Sequence, residues 1–320
     1  MFHRPIYLLR RFLRDIFNPI RYEVADGLND KHLREYYFLF REEELVRYHK
    51  YQFDENNVPL TQTHADQGKK RYYYNPNFIG QHALAVYHSY IENRNQDIRE
   101  RFLTLAQWFL HNYEVVQQDA VVWFTPVPVP KFNVSAPYIS AMYQGRVASV
   151  LLRAYTLTQK TQYLDMARKA FGLFDVPLER GGVCSSYLGH PFYEEYPSEP
   201  PSHVLNGMIY ALFGLYDLFR VSSDERAKQF FDRGVNSLIQ LAEHYDLGYW
   251  TKYDLYDERK GPEHLNPATV HYHMMHIDQF RVLYRITNNE YFFELADKWD
   301  YYLTTENKIK AYILKLKRIT

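Results

Sequence analysis

Two stretches of the chain share one pattern: YTLTQKTQYLDMA at residues 155–167 and YRITNNEYFFELA at residues 284–296. Each has a Thr at the turn between two apolar-periodic segments, an aromatic residue early in the second segment and an Ala near its first turns. YDLFRVSSDERAKQF, which begins at Tyr216, is a looser third copy. Helical hairpins of this kind cannot bury their apolar faces alone, so the repeat predicts hairpins stacked around a common axis.

Apolar residues recur at intervals of three and four residues along four pairs of segments, which predicts eight helices. The predicted pairs are 78–90 with 99–113, 139–155 with 163–171, 204–219 with 226–241, and 274–284 with 291–303. The predicted fold class is therefore all-α: an α/α barrel (toroid) of about four helical hairpins, formed by a catalytic domain over residues 76–320. A toroid is the natural closed form of such a stack.

Residues 1–75 differ from the rest of the chain in their pattern of apolar and polar residues. YEVADG, VPLTQTH and RYYYNP predict short extended segments around one charged helix at 33–48, and we expect a small N-terminal α+β cap over one end of the toroid. Residues 5–17 carry apolar side chains at helical spacing beside arginines. That pattern favours packing on the domain itself or on a partner subunit, with peripheral membrane contact as the alternative.

The composition narrows the classes of partner and compartment. Lys+Arg and Asp+Glu both number 38, so no global field attracts nucleic acid, and a polyanion would need a local patch such as Lys69, Lys70 and Arg71. The single Cys184 excludes an intramolecular disulfide. With no secretory signal and no apolar run of about 18 residues, we expect a cytoplasmic protein. The surplus of Tyr (31) over Phe (21) favours a wet, concave surface.

Three long loops, at 122–137, 177–201 and 247–268, separate the predicted hairpins, and long loops in compact domains are usually functional. The most informative stretch is YEEYPSEPPSHVLNG at residues 193–207. Pro200 and Pro201 keep it extended, and Ser202 is predicted to cap the next helix. The loop would then present a carboxylate and a phenol at a helix N-terminus. A plain surface turn before a capped helix explains the same spacing equally well.

A metal site is not predicted. His271, His273 and His276 look like ligands, but offsets of two and five residues do not share one face of a helix. The sequence also has no Gly-rich phosphate loop, nucleophile elbow or CxxC motif. These absences argue against a nucleotide cofactor, a serine hydrolase and a structural zinc, so no cofactor is expected.

YEEYPSEPPSHVLNGMIYALFGLYDL is similar to the signature of the C-terminal catalytic domain of D-glucuronyl C5-epimerases, which convert glucuronate to iduronate in heparan sulfate precursors. ISAMYQGRVASVLLRAY, YDLGYWTKYDL and HYHMMHIDQF look like further family segments in the family's order. VPLTQTH followed by RYYYNPNFIGQHAL resembles the part just ahead of that domain. The resemblance covers most of residues 58–305.

The resemblance implies an α/α barrel with an active-site cleft at one end, no redox or metal cofactor, and often a homodimer. It also implies that Glu195, Tyr196, Tyr253 and Tyr272 occupy the family's catalytic positions. One departure is that the large N-terminal β-rich region of animal members is largely absent, so the grip on substrate must be reduced or rebuilt.

The second departure lies in the family's YDLR pattern, which reads YDLY here. Tyr256 stands where an arginine is expected to neutralise the uronate carboxylate, and Arg259 and Arg146 are candidates to replace that arginine. Candidate hydroxyl-binding side chains are four amides, for each of which a structural hydrogen bond is at least equally expected: Asn75, Gln81, Gln144 and Asn206.

The chemistry suits these residue types. Removing the C5 proton next to a carboxylate builds a dianionic enediolate, which needs donors or positive charge where the second charge develops. Inversion needs one acid/base group on each face of the ring. We expect Glu195 and Tyr272 to form that pair, while Tyr196 and Tyr253 hold the carboxylate. A basic phenol would need a cationic neighbour.

The predicted function is thus C5 epimerisation of D-glucuronate to L-iduronate within a heparosan-like polysaccharide. A uronate polysaccharide lyase on the same scaffold would begin with the same proton abstraction and is the first alternative. A glycoside hydrolase is disfavoured because it needs two opposed carboxylates. A non-catalytic glycan-binding protein is the alternative from a different class.

Overall fold

The computed structural model describes residues 10, 12–17, 20–29, 31–64 and 70–318. A helical segment at 12–17 comes first among the described residues. The longer helices follow in chain order: α1 Glu42–His49, α2 Pro76–Asn93, α3 Gln96–His111, α4 Ala141–Thr158, α5 Thr161–Lys169, α6 Leu205–Ser222, α7 Glu225–Leu241, α8 Val270–Thr287, α9 Glu290–Tyr301 and α10 Thr305–Lys317. The eight helices from α2 to α9 are those that the apolar periodicity predicts, each within a few residues.

Helices α2, α4, α6 and α8 form the inner wall of an α/α toroid, and α3, α5, α7 and α9 pack outside them. Burial separates the two sets: in α4 every residue from 141 to 154 is buried, whereas α7 buries only one stripe. The inner helices α4 and α6 approach very closely, since a Cβ built at Gly214 would lie 2.3 Å from the Gly145 carbonyl oxygen. The predicted fold class is confirmed.

The four hairpins share one turn geometry. A residue in the left-handed region follows each inner helix: Arg94, Gln159, Ser223 and Asn288, with φ of 52°, 57°, 54° and 54°. Its N–H donates to the carbonyl four residues earlier at 2.7 Å. This is a helix C-cap that ends the helix and reverses the chain. Because each turn reverses direction, every inner helix begins at the same end of the toroid.

The strands are short and lie at the periphery of the toroid. They are β1 Glu23–Val24, β2 Phe38–Leu39, β3 Gln52–Phe53, β4 Pro59–His64, β5 Lys70–Tyr74, β6 Glu114–Val115, β7 Val121–Val122, β8 Cys184–Tyr187, β9 His190–Tyr193, β10 Lys252–Asp254 and β11 Asn266–Pro267. All pairs are antiparallel, and β3, β4 and β5 form the one three-stranded sheet of the described residues. The predicted extended segments YEVADG and VPLTQTH contain β1 and β4, and RYYYNP contains all of β5 except Lys70.

The predicted helix at 33–48 is wrong in its first half. Helix α1 begins only at Glu42, because residues 36–40 enter the core in a non-helical conformation. Tyr37 stacks on Phe213 of α6 with ring centroids 4.2 Å apart, and its hydroxyl donates to Asp217 at 2.8 Å. The N-terminal part therefore shares its core with the helices, and a domain boundary at residue 75 stays a prediction.

The segment after residue 20 joins the first and last inner helices. Arg21 forms a bidentate pair with Asp278 of α8, with its two N–O distances at 2.6 and 2.9 Å. The Tyr22 ring lies edge-on to His271 of α8 at 5.7 Å, and its hydroxyl accepts from Gln81 of α2 at 3.4 Å. The chain thus crosses between α8 and α2 at the end where the inner helices begin.

The N-terminal helical segment packs on the C-terminal helix α10. Phe12 contacts the Tyr312 ring at 4.7 Å, and the Tyr312 hydroxyl donates to Asp15 at 2.7 Å. Of the predicted amphipathic segment 5–17, residues 5–9 and 11 lie outside the described residues, as does Lys69 of the predicted basic patch. None of the helices within the described ranges is both long and apolar enough to cross a lipid bilayer.

Candidate active site

Three loops converge above the N-terminal ends of the inner helices. Their aromatic and aliphatic side chains form one cluster, in which Phe132, Val134, Tyr138 and Val204 are buried and Tyr196, Tyr253, Tyr256 and Val129 pack against them. These residues come from the segments before α4, α6 and α8, and all of them except Tyr138 and Val204 lie within the three loops that the sequence singles out. The cluster brings together residues more than 100 positions apart in the sequence.

Glu195 lies at the base of this cluster. The side chain is buried, and within the described part of the chain its Oε2 has no hydrogen-bond partner. The carboxylate rests on the first turn of α6, where a Cβ built at Gly207 would lie 2.5 Å from Oε2. Burial raises the pKa of Glu195 to about 7, while Tyr196, Arg146 and Lys131 act in the opposite direction. A carboxylate of this kind can exchange a proton near neutral pH.

The preceding residue, Glu194, anchors the loop from below. Its carboxylate accepts from the Ser185 hydroxyl at 2.6 Å, the Ser202 hydroxyl at 2.7 Å and the His203 backbone N–H at 3.0 Å. Ser202 therefore does not cap α6 as predicted, because its hydroxyl is committed to Glu194 and α6 begins later, after Val204. Burial raises the pKa of Glu194 to about 7, against the hydrogen bonds from these groups.

The three predicted tyrosines lie in one chain of contacts beside Glu195. The rings of Tyr253 and Tyr272 meet edge-on with centroids 4.7 Å apart, and Tyr196 stacks on Phe132 at 4.9 Å. The hydroxyl of Tyr196 also interacts with Tyr253. Burial raises the pKa of both Tyr196 and Tyr253, and the Glu195 charge raises them further. These two phenols therefore keep their protons and act as hydrogen-bond donors.

Arg146 projects from the second turn of α4 into the toroid. It is buried, its Nη1 donates to Asn77 Oδ1 at 2.5 Å, and its guanidinium lies 4.3 Å from the centroid of the Tyr210 ring. Its positive charge is one of the influences that lower the pKa of Glu195. The predicted substitute Arg259 lies elsewhere, exposed on the loop that precedes α8. Only Arg146 of the two is buried inside the toroid.

The four predicted amides occupy different environments. The Gln144 amide is engaged with backbone, since it accepts from Trp123 N at 3.2 Å and donates to Val121 O at 2.7 Å and Ala170 O at 3.0 Å. Asn75 caps α2 by accepting from Asn77 N at 3.0 Å. Asn206 is different: its Oδ1 is buried and, among the described residues, has no partner.

Gln81 lies on the side of the site formed by the N-terminal segment, where its amide donates to the Tyr22 hydroxyl. Tyr256, at the position of the expected arginine, places its ring edge-on to Phe132 at 5.2 Å. Tyr256 therefore borders the same aromatic cluster as Tyr196 and Tyr253. The roles of these two residues in substrate binding stay predictions.

The three histidines of α8 all have structural partners, and two of them share the Thr251 hydroxyl. His273 stacks on Trp250 at 3.7 Å, and its Nε2 lies 3.0 Å from Trp299 O. The Thr251 hydroxyl lies 2.9 Å from His273 Nδ1 and 3.1 Å from His276 Nδ1. His271 Nδ1 lies 2.9 Å from the carbonyl of Ile20. The described part of the chain contains no cluster of side chains arranged to hold a metal ion.

Sequence reasoning missed Lys131 as a functional candidate. Its ammonium lies 4.2 Å from the centroid of the Phe132 ring and 4.9 Å from that of Tyr253, and it pairs with Asp254 at 2.5 Å. A lysine between prolines and aromatics in VPVPKFNV belongs to no motif of fixed spacing. The one hint in the sequence is that a uronate carboxylate needs a nearby cation and that position 256, a tyrosine, does not supply one.

Fold and site together define an α/α-toroid protein with a buried carboxylate and several tyrosines at the N-terminal ends of its inner helices. The sequence model of the family described as D-glucuronyl C5-epimerase C-terminus matches residues 117–301. That match covers more than half of the chain, and it contains Glu195, Tyr196, Tyr253 and Tyr272. The chain belongs to this family.

Individual proteins resemble the chain over different lengths. A D-glucuronyl C5-epimerase from Caenorhabditis elegans is 35% identical over 225 residues, which make up 65% of this chain and 36% of that protein. An uncharacterized protein from Methanocaldococcus jannaschii is 26% identical over 284 residues, which make up 82% of this chain and 89% of that protein. The match thus spans little more than a third of the animal protein.

A solved structure of a GH76 alpha-mannanase from Bacteroides thetaiotaomicron is also similar. Its TM-score is 0.45 at 13% sequence identity, and the similarity covers 72% of this chain and 61% of that chain.

Proposed function

We propose that this protein inverts carbon 5 of D-glucuronate residues to give L-iduronate within a heparosan-like polysaccharide. The observation that carries the proposal is Glu195: a buried carboxylate with a pKa near 7, set among phenolic donors at the mouth of a toroid. The family membership of the chain supports the same activity. The polymer is a proposal of substrate class, and a uronate-containing polysaccharide is the partner that we infer.

In the proposed reaction Glu195 removes the C5 proton from one face of the sugar ring. A phenol ordinarily keeps its proton at neutral pH, so Tyr272 is suited to donate a proton from the opposite face. The reverse reaction exchanges these roles. One proton leaves carbon 5 and one arrives there, so no oxidant or co-reactant is consumed.

The intermediate carries two negative charges on the enediolate of the former carboxylate. Tyr196 and Tyr253 are protonated donors beside Glu195, which suits them to stabilise oxygen atoms whose charge increases. The N-terminal ends of four inner helices face the same cleft, and their dipoles favour an anion there. Asn206, whose buried Oδ1 has no partner within the described residues, is suited to accept from a sugar hydroxyl.

The proposal is tested by incubating the protein with heparosan in deuterated water and following proton NMR spectra and ultraviolet absorbance. Loss of the C5 proton signal with new iduronate resonances and constant absorbance is the expected result. An increase in absorbance would mean that the 4-linked sugar is expelled and the protein is a lyase. No exchange on heparosan or on other uronate polymers, with polymer binding retained, would mean a glycan-binding protein.

A homodimer and a peripheral membrane contact through residues 5–17 are separate proposals about assembly. Light scattering of the purified protein and sedimentation with anionic vesicles test them independently of turnover. A monomer that stays in the supernatant would contradict both.

A further inference from the structure

We propose that the Lys131 ammonium binds the uronate carboxylate and is the cation of the site in place of the arginine expected at position 256. This inference rests on the proposed function. It assigns a residue of the loop before α4 to substrate recognition, whereas sequence reasoning considered only arginines for that task.

The first argument is the position of the ammonium inside the aromatic cluster. Phe132 is the common neighbour of three groups: the Lys131 Nζ at 4.2 Å from its centroid, the Tyr196 ring at 4.9 Å and the Tyr256 ring at 5.2 Å. The same ammonium lies 4.9 Å from the Tyr253 centroid. Lys131 is therefore next to Tyr253, one of the two phenols that we expect to bind the carboxylate, and it shares the neighbour Phe132 with Tyr196 and Tyr256.

The second argument is that an ion pair holds the ammonium in a fixed position. Asp254 Oδ2 accepts from Lys131 at 2.5 Å and from the Asn266 amide at 2.6 Å. The Asn266 Oδ1 in turn accepts from Lys315 of α10 at 2.7 Å. Asp254 is thus fixed by neighbours on two other elements, and it orients the lysine instead of leaving a flexible side chain to search for the substrate.

The third argument is that the ammonium retains capacity for a ligand. A lysine has three N–H donors, and the bond to Asp254 uses one of them. The side chain is 36% exposed, so a ligand can reach it. Burial lowers the pKa of Lys131, and the Asp254 carboxylate acts in the opposite direction and favours the charged ammonium. Its charge also reaches the catalytic group, since Lys131 is one of the neighbours that lower the pKa of Glu195. A partly exposed cation whose charge acts on Glu195 is suited to bind a carboxylate beside it.

The two arginines are less suited to this role. Arg259 is exposed on the loop before α8, and the groups on which its charge acts include Tyr187 and His203. The Arg146 guanidinium is buried, with Nη1 committed to Asn77 at 2.5 Å and its face against Tyr210 at 4.3 Å. Arg146 is suited to influence the site electrostatically without touching the substrate, whereas Lys131 is suited to contact the uronate carboxylate directly.

The test compares wild type with Lys131→Met, Lys131→Arg and the double variant Lys131→Met/Tyr256→Arg. Deuterium exchange at C5 gives kcat and KM, and calorimetric titration gives Kd for heparosan oligosaccharides and for the same oligosaccharides with carboxyl groups reduced to alcohols. Lys298→Met is the matched control, because Lys298 pairs with the buried Asp246 at 2.8 Å on the outer helix α9. The control removes a Lys–Asp pair whose lysine lies on an outer helix.

We expect Lys131→Met to lower kcat/KM by roughly 100-fold, the scale of losing one group that stabilises a developing oxyanion. It should also bind both oligosaccharides equally, whereas wild type should prefer the uronate form. Lys131→Arg should retain most of the turnover, and Tyr256→Arg should restore part of it to the Lys131→Met variant. Lys298→Met should behave as wild type.

A Lys131→Met variant with wild-type exchange rate and wild-type preference for the uronate form would overturn the inference. Since removing Lys131 leaves Asp254 without its cation, Lys131→Met/Asp254→Asn separates misfolding from loss of the ammonium, and it should share the loss of preference. If wild type prefers the uronate form but exchanges no C5 proton, the proposed function fails while the role of Lys131 in binding is still decided by Kd. If wild type has no preference between the two oligosaccharides, the inference fails whatever the turnover.

Discussion

The carboxylate of Glu195 packs directly on the backbone of Gly207, so closely that a Cβ at position 207 would lie 2.5 Å from both Glu195 Cβ and Oε2. Helix α6 thereby forms the floor under the carboxylate. Any side chain at position 207 must displace Glu195, because contacts that short do not occur between non-bonded carbon and oxygen atoms.

The first prediction follows from this contact. Gly207→Ala should reduce kcat by about 10- to 100-fold, since a displacement of about 1 Å at a catalytic group has effects of that order. The variant should still fold, because alanine favours helix. Gly27→Ala, where the new Cβ would meet only Glu35 Oε2 at 3.7 Å, is the control for a glycine replacement. Wild-type kcat in Gly207→Ala would mean that the position of Glu195 is not critical.

The second prediction concerns Tyr272. Tyr272→Phe removes one hydroxyl and should reduce C5 exchange by about 10²- to 10⁴-fold, the range for losing a general acid or base. Affinity for the polysaccharide should change little. Tyr301→Phe, at a ring that is 85% exposed, is the control and should retain full turnover. A glycan-binding protein would tolerate both changes, so equal behaviour of the two variants argues against the epimerase.

The third prediction is the pH dependence of turnover. As the base, Glu195 must be ionised, and its pKa is raised to about 7, so kcat/KM should increase with pH and level off above 7. Arg146 lowers the pKa of Glu195, and Arg146→Met should therefore move this midpoint to higher pH. Arg226→Met, a surface change beside Asp175, should leave the midpoint unchanged. A profile that is flat between pH 5 and 8 in wild type (a range of about three units around the pKa) contradicts the assignment of the base.

The fourth prediction concerns stability. The pKa of Glu195 in the folded protein is about 7, above the value of 4.5 expected without the fold, so the folded state binds the proton more tightly. Stability should therefore decrease as pH increases from about 4.5 to about 7, and the loss should persist above that range. Glu195→Gln should remove the contribution of Glu195 to this pH dependence, which is up to roughly 3 kcal/mol in the free energy of unfolding at 1.4 kcal/mol per pKa unit.

Thermal unfolding of wild type and Glu195→Gln between pH 5 and pH 8 measures the contribution of Glu195 to stability. The variant should be inactive yet more stable than wild type at pH 8, with the two melting temperatures converging at pH 5. Glu194 contributes a similar dependence in both proteins, because its pKa is also raised to about 7. If the melting temperatures of the two proteins differ by the same amount at every pH, ionisation of Glu195 does not destabilise the folded state.

The helices were predictable from the sequence because the period of 3.6 residues is strong in α2 to α9 and the turns repeat. The sequence does not predict helix α10, since TENKIKAYILKLK buries only Ala311 and Tyr312 and carries little periodicity. It predicts a loop where the hairpin of β8 and β9 lies, because each strand has four residues and neither alternates clearly between buried and exposed positions. Both elements are fixed by tertiary contacts more than by local preference.

Site prediction divides in the same way. Glu195 and the three tyrosines could be named because they belong to recognisable motifs. Lys131 could not, since its proposed role depends on Phe132, Tyr253 and Asp254 meeting across two loops. Residue spacing gives no information about contacts between residues more than 100 positions apart.

Because the four inner helices begin at the same end of the toroid, the residues that build the scaffold and the residues of the candidate site lie in different parts of the hairpins and loops. The walls of the toroid are encoded in the outer helices and in the later turns of the inner helices, whereas the residues of the candidate site lie in the segments that join one hairpin to the next and in the first two turns of the inner helices. Changes in the outer helices should then reduce the yield of folded protein, while changes in the joining segments and in the first turns of the inner helices should alter turnover at normal yield. Such a division lets a new polymer specificity arise by exchange of a few joining segments on an unchanged scaffold.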